Sequence, residues 1–217
     1  MAKSLIKPLV IITAIVAVAV SVLAVALSPR IKLPQAVNIP TNGQPTLGNE
    51  NAPVQIVAFE DLKCSNCMRY NNALFPKIKK KYIYTGIAKY TMIVVAFIPG
   101  SIPAANAALC LYHQNKSFYY PFVKYLYQHQ PPEQNDWATI PTLLKFAKAA
   151  VPQANLSTLS NCIFASEHST SIDTNFKLGM KIMNNQLATP TLYVNGMIVD
   201  PLTMKRVDQL IAAAKQK

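Results

Sequence analysis

The hydrophobic positions of this chain form one long run near its start and shorter runs beyond it. Residues 8–27 carry no charge and read PLVIITAIVAVAVSVLAVAL. A helix of about twenty residues spans roughly 30 Å, the thickness of a bilayer's hydrocarbon core. The pattern therefore predicts an N-terminal membrane segment, transmembrane helix or signal, within residues 1–27.

Two interpretations of this segment remain open. Its length favours an uncleaved anchor, because the apolar stretch of a signal peptide runs to only about 7–15 residues. Ala24-Val25-Ala26 nevertheless supplies the small residues of a cleavage site. Basic residues flank both ends of the run equally, so the positive-inside rule assigns no orientation. Either interpretation places the rest of the chain outside the cytoplasm.

The remainder consists of a proline-rich linker, residues 28–46, and one domain, residues 47–217. Within the domain, residues 54–59 and 89–97 are almost continuous apolar runs, as is typical of strands covered on both faces. The sequence between them is helix-forming to about Lys81. Strand, helix and strand in this order predict a βαβ unit with a parallel pair.

Residues 102–187 contain no comparable β-rich run. Periodicity predicts helices over residues 104–114, 118–130, 142–151, 156–165 and 172–187. The chain then returns to strands, with Asn195-Gly196 as the turn of a hairpin, and closes with a helix over residues 202–214. We expect an α/β fold with a mixed sheet and an all-helical insertion at about residues 102–187.

Composition narrows the class of protein. With 51% hydrophobic residues the chain can bury a core, and its 6 glycines exclude a collagen-like repeat. The formal charge of +12 would suit an anionic partner or surface, but no nucleic-acid motif accompanies it. The densest basic run, residues 77–81, falls where a helix should end and complement its dipole.

The candidate chemistry lies at the first strand–helix junction, in Cys64-Ser65-Asn66-Cys67. A thiolate at a helix N-terminus faces unpaired backbone N–H groups and the positive end of the dipole, which lower its pKa. Two intervening residues place the second sulfur one turn away. Cys64 is thus the expected exposed, attacking thiol and Cys67 the expected buried, resolving thiol of a redox pair.

A zinc site is the competing interpretation of the same cysteines. Cys110 and His113 form a C-x-x-H pair, so four ligands can be counted if the helical block folds back onto Cys64 and Cys67. The protein would then be a metal-binding or client-holding module rather than an enzyme.

A second informative stretch, Ala188-Thr189-Pro190 before the strand Thr191–Val194, lies more than a hundred residues downstream. The chain resembles the DsbA family of thiol–disulfide oxidoreductases, in its membrane-anchored or exported branch. The resemblance rests on CSNC after a buried strand, followed far downstream by ATPTLYVNG before a hairpin. Two further segments match the family: LGNENAPV over residues 47–54, and AANAALC over residues 104–110, where the helical block opens. The resemblance covers nearly all of residues 47–217.

The resemblance implies a thioredoxin fold with an inserted all-helical domain. It implies a cis Pro190 beside Cys64, and a Thr189 backbone that binds an extended substrate strand. The implied activity is the introduction of disulfides into exported cysteine-containing client proteins. The implied partners are a quinone-linked membrane protein that reoxidises the enzyme, and the bilayer through the N-terminal helix. We expect no cofactor, no bound metal, no nucleic acid and, without a dimerisation module, a monomer.

Two departures from the family pattern qualify this expectation. Members often carry His or an aromatic residue where this chain has Asn66, so we expect a milder oxidant. Members also often carry a buried Glu where this chain has Ala58. Glu60 lies on the same side of the strand by parity and would serve as the proton relay for Cys67, or else be a solvated strand-end charge. Lys63 would tune the Cys64 pKa if it pointed inward, or else be exposed.

Cys110 and Cys162 remain. With Cys64 and Cys67 paired to each other, the remaining pairing is Cys110–Cys162, a structural disulfide within the helical block. Two buried free thiols are the alternative.

The direction of the reaction also stays open, because a reductase or isomerase would use the same site.

Overall fold

The computed structural model describes residues 11–17, 19–20 and 33–215. Residues 11–17 and 19–20 are helical. The predicted anchor or signal segment, residues 1–27, otherwise lies outside the described residues. Across the described ranges, no helix combines the length and the apolar character needed to cross a bilayer.

A mixed five-stranded sheet organises residues 34–215. Its spatial order is β1-β3-β2-β4-β5, in which β2 and β3 run parallel and the other neighbours run antiparallel. The strands are β1 Thr46–Leu47, β2 Val54–Asp61, β3 Ala88–Val95, β4 Thr191–Val194 and β5 Met197–Ile198.

The central strand β2 is buried on both faces, as its apolar sequence requires. Ile56 and Ala58 pack into the main core together with the helices that follow β3. Val57 and Phe59 point to the other face, where Leu178 of a later helix covers them. A strand enclosed in this way positions the residues at its carboxyl end, which lead directly into the Cys64 segment.

Eight α-helices fill the described chain after Cys64. They are α1 Ser65–Ala73, α2 Phe75–Ile78, α3 Ile102–Gln114, α4 Tyr119–His129, α5 Ile140–Ala150, α6 Leu156–Phe164, α7 Ser169–Ile182 and α8 Met204–Ala214. A π-helical turn, Lys79–Ile83, continues α2, and a 3₁₀ turn, Lys116–Phe118, precedes α4.

Two predicted helices end differently from the expectation. The helix expected to run unbroken to Lys81 is interrupted, because Pro76 lacks an N–H and occupies the first turn of a new helix. The last helix of the block ends at Ile182 rather than at residue 187. Asn184 and Asn185 adopt positive φ there, a conformation that Asn tolerates better than most residues.

Helices α3 to α7 occupy the region between β3 and β4. A disulfide between Cys110 of α3 and Cys162 of α6 crosslinks this block, with Cα atoms 6.1 Å apart. Both cysteines are buried in the main core.

We predict that replacing both Cys110 and Cys162 by Ala destabilises the protein by about 4 kcal/mol. The disulfide closes a loop of 52 residues. Closing a loop of this length removes conformational entropy from the unfolded chain, and this loss accounts for the expected stabilisation. Guanidinium unfolding of the variant and the parent checks it. Equal free energies of unfolding would contradict the prediction.

Candidate active site

Cys64 is the N-cap of α1, three residues beyond the end of β2. Its Sγ accepts a hydrogen bond from the backbone N–H of Cys67 at 3.4 Å. Only 5% of Cys64 is exposed, so the expectation of an exposed attacking thiol is wrong, whereas Cys67 is fully buried as expected. The two thiols are unpaired in this structure, which therefore shows the reduced form of the pair.

The Thr189–Pro190 segment lies against this helix start. The bond between these residues is cis, and the Cys64 thiol donates to the Thr189 carbonyl oxygen at 3.6 Å. Beside the sulfur is a groove of about 420 Å³. It is lined by Asn66, Arg69, Tyr70, Leu74, Thr189, Pro190 and Leu202. Residues 125 positions apart thus form one surface around Cys64.

The surroundings of the two sulfurs separate their pKa values. The pKa of Cys64 is lowered to about 6, mainly by a hydrogen bond from the Cys67 thiol, against the opposing effect of burial. The backbone N–H groups of Cys67 and Asn66 lower it further. Burial, first of all, raises the pKa of Cys67 well above that of an ordinary thiol. At neutral pH Cys64 is a thiolate and Cys67 is a thiol.

Glu60 lies inside the protein, so its interpretation as a solvated strand-end charge is wrong. Its Oε1 accepts from the Tyr90 hydroxyl at 2.5 Å, and its Oε2 accepts from the Tyr127 hydroxyl at 3.1 Å. Oε2 also accepts from the amide of Asn71, which donates in turn to the Cys67 carbonyl at 3.1 Å. The carboxyl group is therefore joined to the helix that carries the cysteines.

Burial raises the pKa of Glu60 to about 7, although these three hydrogen bonds oppose the rise. The carboxyl group exchanges its proton in the neutral range, where the cysteines react. Its negative charge, when present, raises the pKa of Cys67. Glu60 and Cys67 therefore compete for ionisation.

Lys63 is buried, which overturns the expectation of an exposed side chain. Its ammonium donates to the Pro99 carbonyl at 2.7 Å. The adjacent Asp61 is buried as well and accepts from the N–H groups of Lys63, Phe97 and Ile98 at 2.9, 3.0 and 3.1 Å. These contacts fasten the end of β2 to the loop after β3 and hold the segment that enters α1.

Sequence reasoning missed the helical block's contribution to the site. Glu133, in the loop between α4 and α5, accepts from the backbone N–H of Ser65 at 2.7 Å and from its hydroxyl at 2.9 Å. Gln130 donates to the Lys63 carbonyl at 2.6 Å. Neither residue belongs to a recognisable motif, and contacts 67 and 68 positions apart leave no local signal.

Asn66 is exposed, and its amide oxygen accepts from the Arg69 guanidinium.

The zinc arrangement proposed for Cys64, Cys67, Cys110 and His113 is wrong, because the Cys110 sulfur is bonded to Cys162. His113 instead stacks on His168, with ring centroids 4.5 Å apart.

Comparison with known proteins agrees with this geometry. A family model described as thioredoxin matches residues 40–213. Disulfide bond formation protein D of Bacillus subtilis is 34% identical over 161 residues, which are 72% of this chain and 70% of that protein. A probable disulfide bond formation protein D of Bacillus cereus is 27% identical over 159 residues, 73% of each chain.

Solved structures show the same fold. The crystal structure of oxidised BdbD from Bacillus subtilis has a TM-score of 0.78 at 29% identity and covers 86% of this chain and 100% of that one. DsbA of Chlamydia trachomatis has a TM-score of 0.75 at 32% identity, with 84% and 98% covered. The expected thioredoxin-type α/β fold with added helices is confirmed.

We predict that Cys67→Ala raises the pKa of Cys64 above about 6, whereas Cys67→Ser changes it less. Ala removes the side-chain donor that contributes most to stabilising the thiolate, and the Ser hydroxyl keeps a donor in its place. The pH dependence of alkylation of Cys64 measures both. Equal shifts in the two variants would contradict the prediction.

We predict that Glu60 makes the reduced protein lose stability as pH rises. Its pKa is about 7 in the folded protein, against an ordinary value of 4.5 that stands for the unfolded chain. The stability that Glu60 contributes is therefore fully present below pH 4.5 and is lost by pH 7. The loss amounts to roughly 3 kcal/mol at most. Urea unfolding of Glu60→Gln at several pH values should lack this decline, while the exposed control Glu50→Gln should retain it. Parallel curves for all three proteins would refute the assignment.

Proposed function

Because the chain belongs to the thioredoxin family, as one of its DsbA-like thiol–disulfide oxidoreductases, we propose that it introduces disulfides into exported proteins outside the cytoplasm. The observation that carries this proposal is the pair of opposite pKa shifts at Cys64 and Cys67. A stabilised Cys64 thiolate favours the reduced enzyme, and this makes the Cys64–Cys67 disulfide an acceptor of electrons from client thiols.

The reaction proceeds in two exchanges. A client thiolate attacks Sγ of Cys64 in the oxidised enzyme, the Cys64–Cys67 bond breaks, and Cys67 leaves with the electron pair. A second client thiolate then attacks the client sulfur of the mixed disulfide, and Cys64 leaves as a thiolate. The client loses two electrons and gains a disulfide, while the enzyme becomes a dithiol.

Glu60 supplies the proton that Cys67 needs when it leaves. Cys67 is fully buried and its pKa is raised, so it does not persist as an anion at neutral pH. Glu60, with a pKa of about 7, is half protonated under the same conditions. The Asn71 amide holds Glu60 and the Cys67 carbonyl together, and this keeps donor and acceptor on one side of α1.

The groove beside Cys64 binds the client. Thr189 and Pro190 form its wall, and the carbonyl of Thr189 lies 3.6 Å from the Cys64 sulfur. An extended client segment that pairs with the Thr189 backbone brings its own cysteine to Cys64. The open groove accepts many sequences, as a general oxidant requires.

The protein is a milder oxidant than family members with His or an aromatic residue at the position of Asn66. Asn66 is turned outward to Arg69 and adds only its backbone N–H to the stabilisation of Cys64. We place its potential between those of thioredoxin, about −270 mV, and DsbA, about −120 mV.

The uncharged run over residues 8–27 supports attachment to the cytoplasmic membrane. We infer the outer side for the catalytic domain from the proposed reaction, because disulfides form and persist in oxidising compartments. The expected linker, residues 28–46, is shorter than its sequence suggested, because residues 34–46 belong to the same compact unit as the rest of the domain and the Val37 N–H donates to the Gly196 carbonyl at 3.0 Å. We propose the residues before Pro34 as the tether and the following unit as the catalytic domain, with the helical insertion at about 102–187. A quinone-linked membrane protein reoxidises the dithiol, and the enzyme acts as a monomer.

The test is oxidation of a reduced two-cysteine peptide by the full chain, together with thiol trapping in glutathione buffers. We expect one disulfide per enzyme disulfide consumed, no turnover by Cys64→Ser, slower release of Cys67 in Glu60→Gln, and a potential above about −270 mV. A lower potential would make the protein a reductase. Turnover by Cys64→Ser would remove the assigned nucleophile.

A further inference from the structure

A second and larger cavity, of about 870 Å³, lies apart from the Cys64 groove. It is bounded by β1, the α1–α2 junction, the 3₁₀ turn and α4. None of Cys64, Cys67, Thr189 or Pro190 lines it. We call it the lysine pocket, because Lys79, Lys116 and Lys124 stand in its wall. Of the residues that the proposed reaction uses, Asn71 alone lines it.

Aromatic and aliphatic groups line part of the lysine pocket. Phe75 and Tyr120 contribute ring surface, and Val123 and Pro121 add aliphatic surface from α4. The Tyr120 hydroxyl has two carbonyl acceptors within the protein, that of Pro45 at 2.9 Å and that of Tyr90 at 3.1 Å. Tyr84, 70% exposed, also contributes to the lining. This wall suits a flat apolar body.

The charges around the cavity are uncompensated. Three lysines line it against one acidic residue, Glu50. Within the part of the chain that the structure describes, Lys116 and Lys124 have no acidic partner. By contrast, Lys81 pairs with Asp208 at 2.9 Å. A concave wall that concentrates one sign of charge attracts the opposite sign.

Lys79 brings the positive charge and the aromatic wall of the lysine pocket together. Its ammonium lies 5.4 Å from the ring centre of Tyr84 and 5.9 Å from that of Phe75. Cation–π contacts of this kind hold a lysine beside aromatic faces. An anionic head placed near Lys79 would therefore have rings beside it for its apolar body.

We propose that the lysine pocket is a binding site for a small aromatic carboxylate or sulfonate. The cavity volume falls within the range of about 300–1,000 Å³ that is usual for ligand sites. The ligand's anionic group lies among Lys79, Lys116 and Lys124, and its ring packs against Phe75 and Tyr120. A ligand must enter the concavity to reach those rings, which a flat membrane surface cannot do.

Isothermal titration of the full chain with naphthalene-2-sulfonate at physiological salt tests the proposal, in a non-ionic detergent matched in cell and syringe. We expect saturable binding of one molecule per chain. Lys124→Glu should weaken it by about tenfold or more, since it replaces attraction by repulsion at short range. The neutral analogue naphthalene-2-sulfonamide should show a similar loss.

Lys80→Glu is the matched control. Lys80 is exposed and belongs to the same basic run as Lys79, but it does not line the cavity. We expect its effect to stay within about twofold at this ionic strength. Equal weakening by Lys80→Glu and Lys124→Glu would assign the binding to the general positive surface and overturn the proposal.

Further outcomes keep the test decisive. Lys124→Gln, which removes the charge without reversing it, should weaken binding less than Lys124→Glu if both remain folded by circular dichroism. Cys64→Ser should bind as the parent does, so the result does not depend on the proposed oxidase activity. Binding to vesicles of anionic lipid without binding of the sulfonate would make the lysines a membrane-facing surface and refute the pocket.

Discussion

The proposed chemistry depends on one interaction, that of the Cys64 sulfur with the start of α1. The sulfur accepts the Cys67 N–H at 3.4 Å, and the Cys67 thiol stabilises its charge most. The first turn of α1 is also fixed by the helical block, because Glu133, in the loop between α4 and α5, accepts a hydrogen bond from the Ser65 N–H at 2.7 Å. The helical block therefore helps to build the catalytic helix terminus and to leave its next N–H groups to the thiolate.

Burial disfavours the thiolate at both cysteines, and hydrogen bonds outweigh this effect at Cys64 only. Cys67 and Glu60 are fully enclosed, so each resists ionisation, and a negative charge on Glu60 makes ionisation of Cys67 harder still. Tyr90 from the sheet and Tyr127 from α4 hold the carboxyl group in place by hydrogen bonds. The asymmetry between the two cysteines is thus a property of how sheet and helical block meet around Glu60.

The sequence predicted the features that have a local signature. The apolar run around Ile56, the Asn195-Gly196 turn and the helix starting at Cys64 follow from periodicity, turn chemistry and capping. The state of Glu60 and Lys63 could not be read in this way, because their burial depends on elements far along the chain. Pro76 divided the first helix for a local reason that the periodicity alone concealed.

The separation of the site's parts along the chain bears on how the protein itself matures. Synthesis delivers Cys64, Cys67 and Cys110 well before Cys162, the partner of Cys110 at a distance of 52 residues. A Cys67–Cys110 crosslink would close a shorter loop, so chain entropy favours that wrong pairing over the native one whenever Cys67 is not already bonded to Cys64. Packing of α3 against α6 favours the native pairing, because it brings Cys110 and Cys162 together. Oxidation of the nascent chain before that packing therefore permits a wrong connectivity, which thiol–disulfide exchange has to correct.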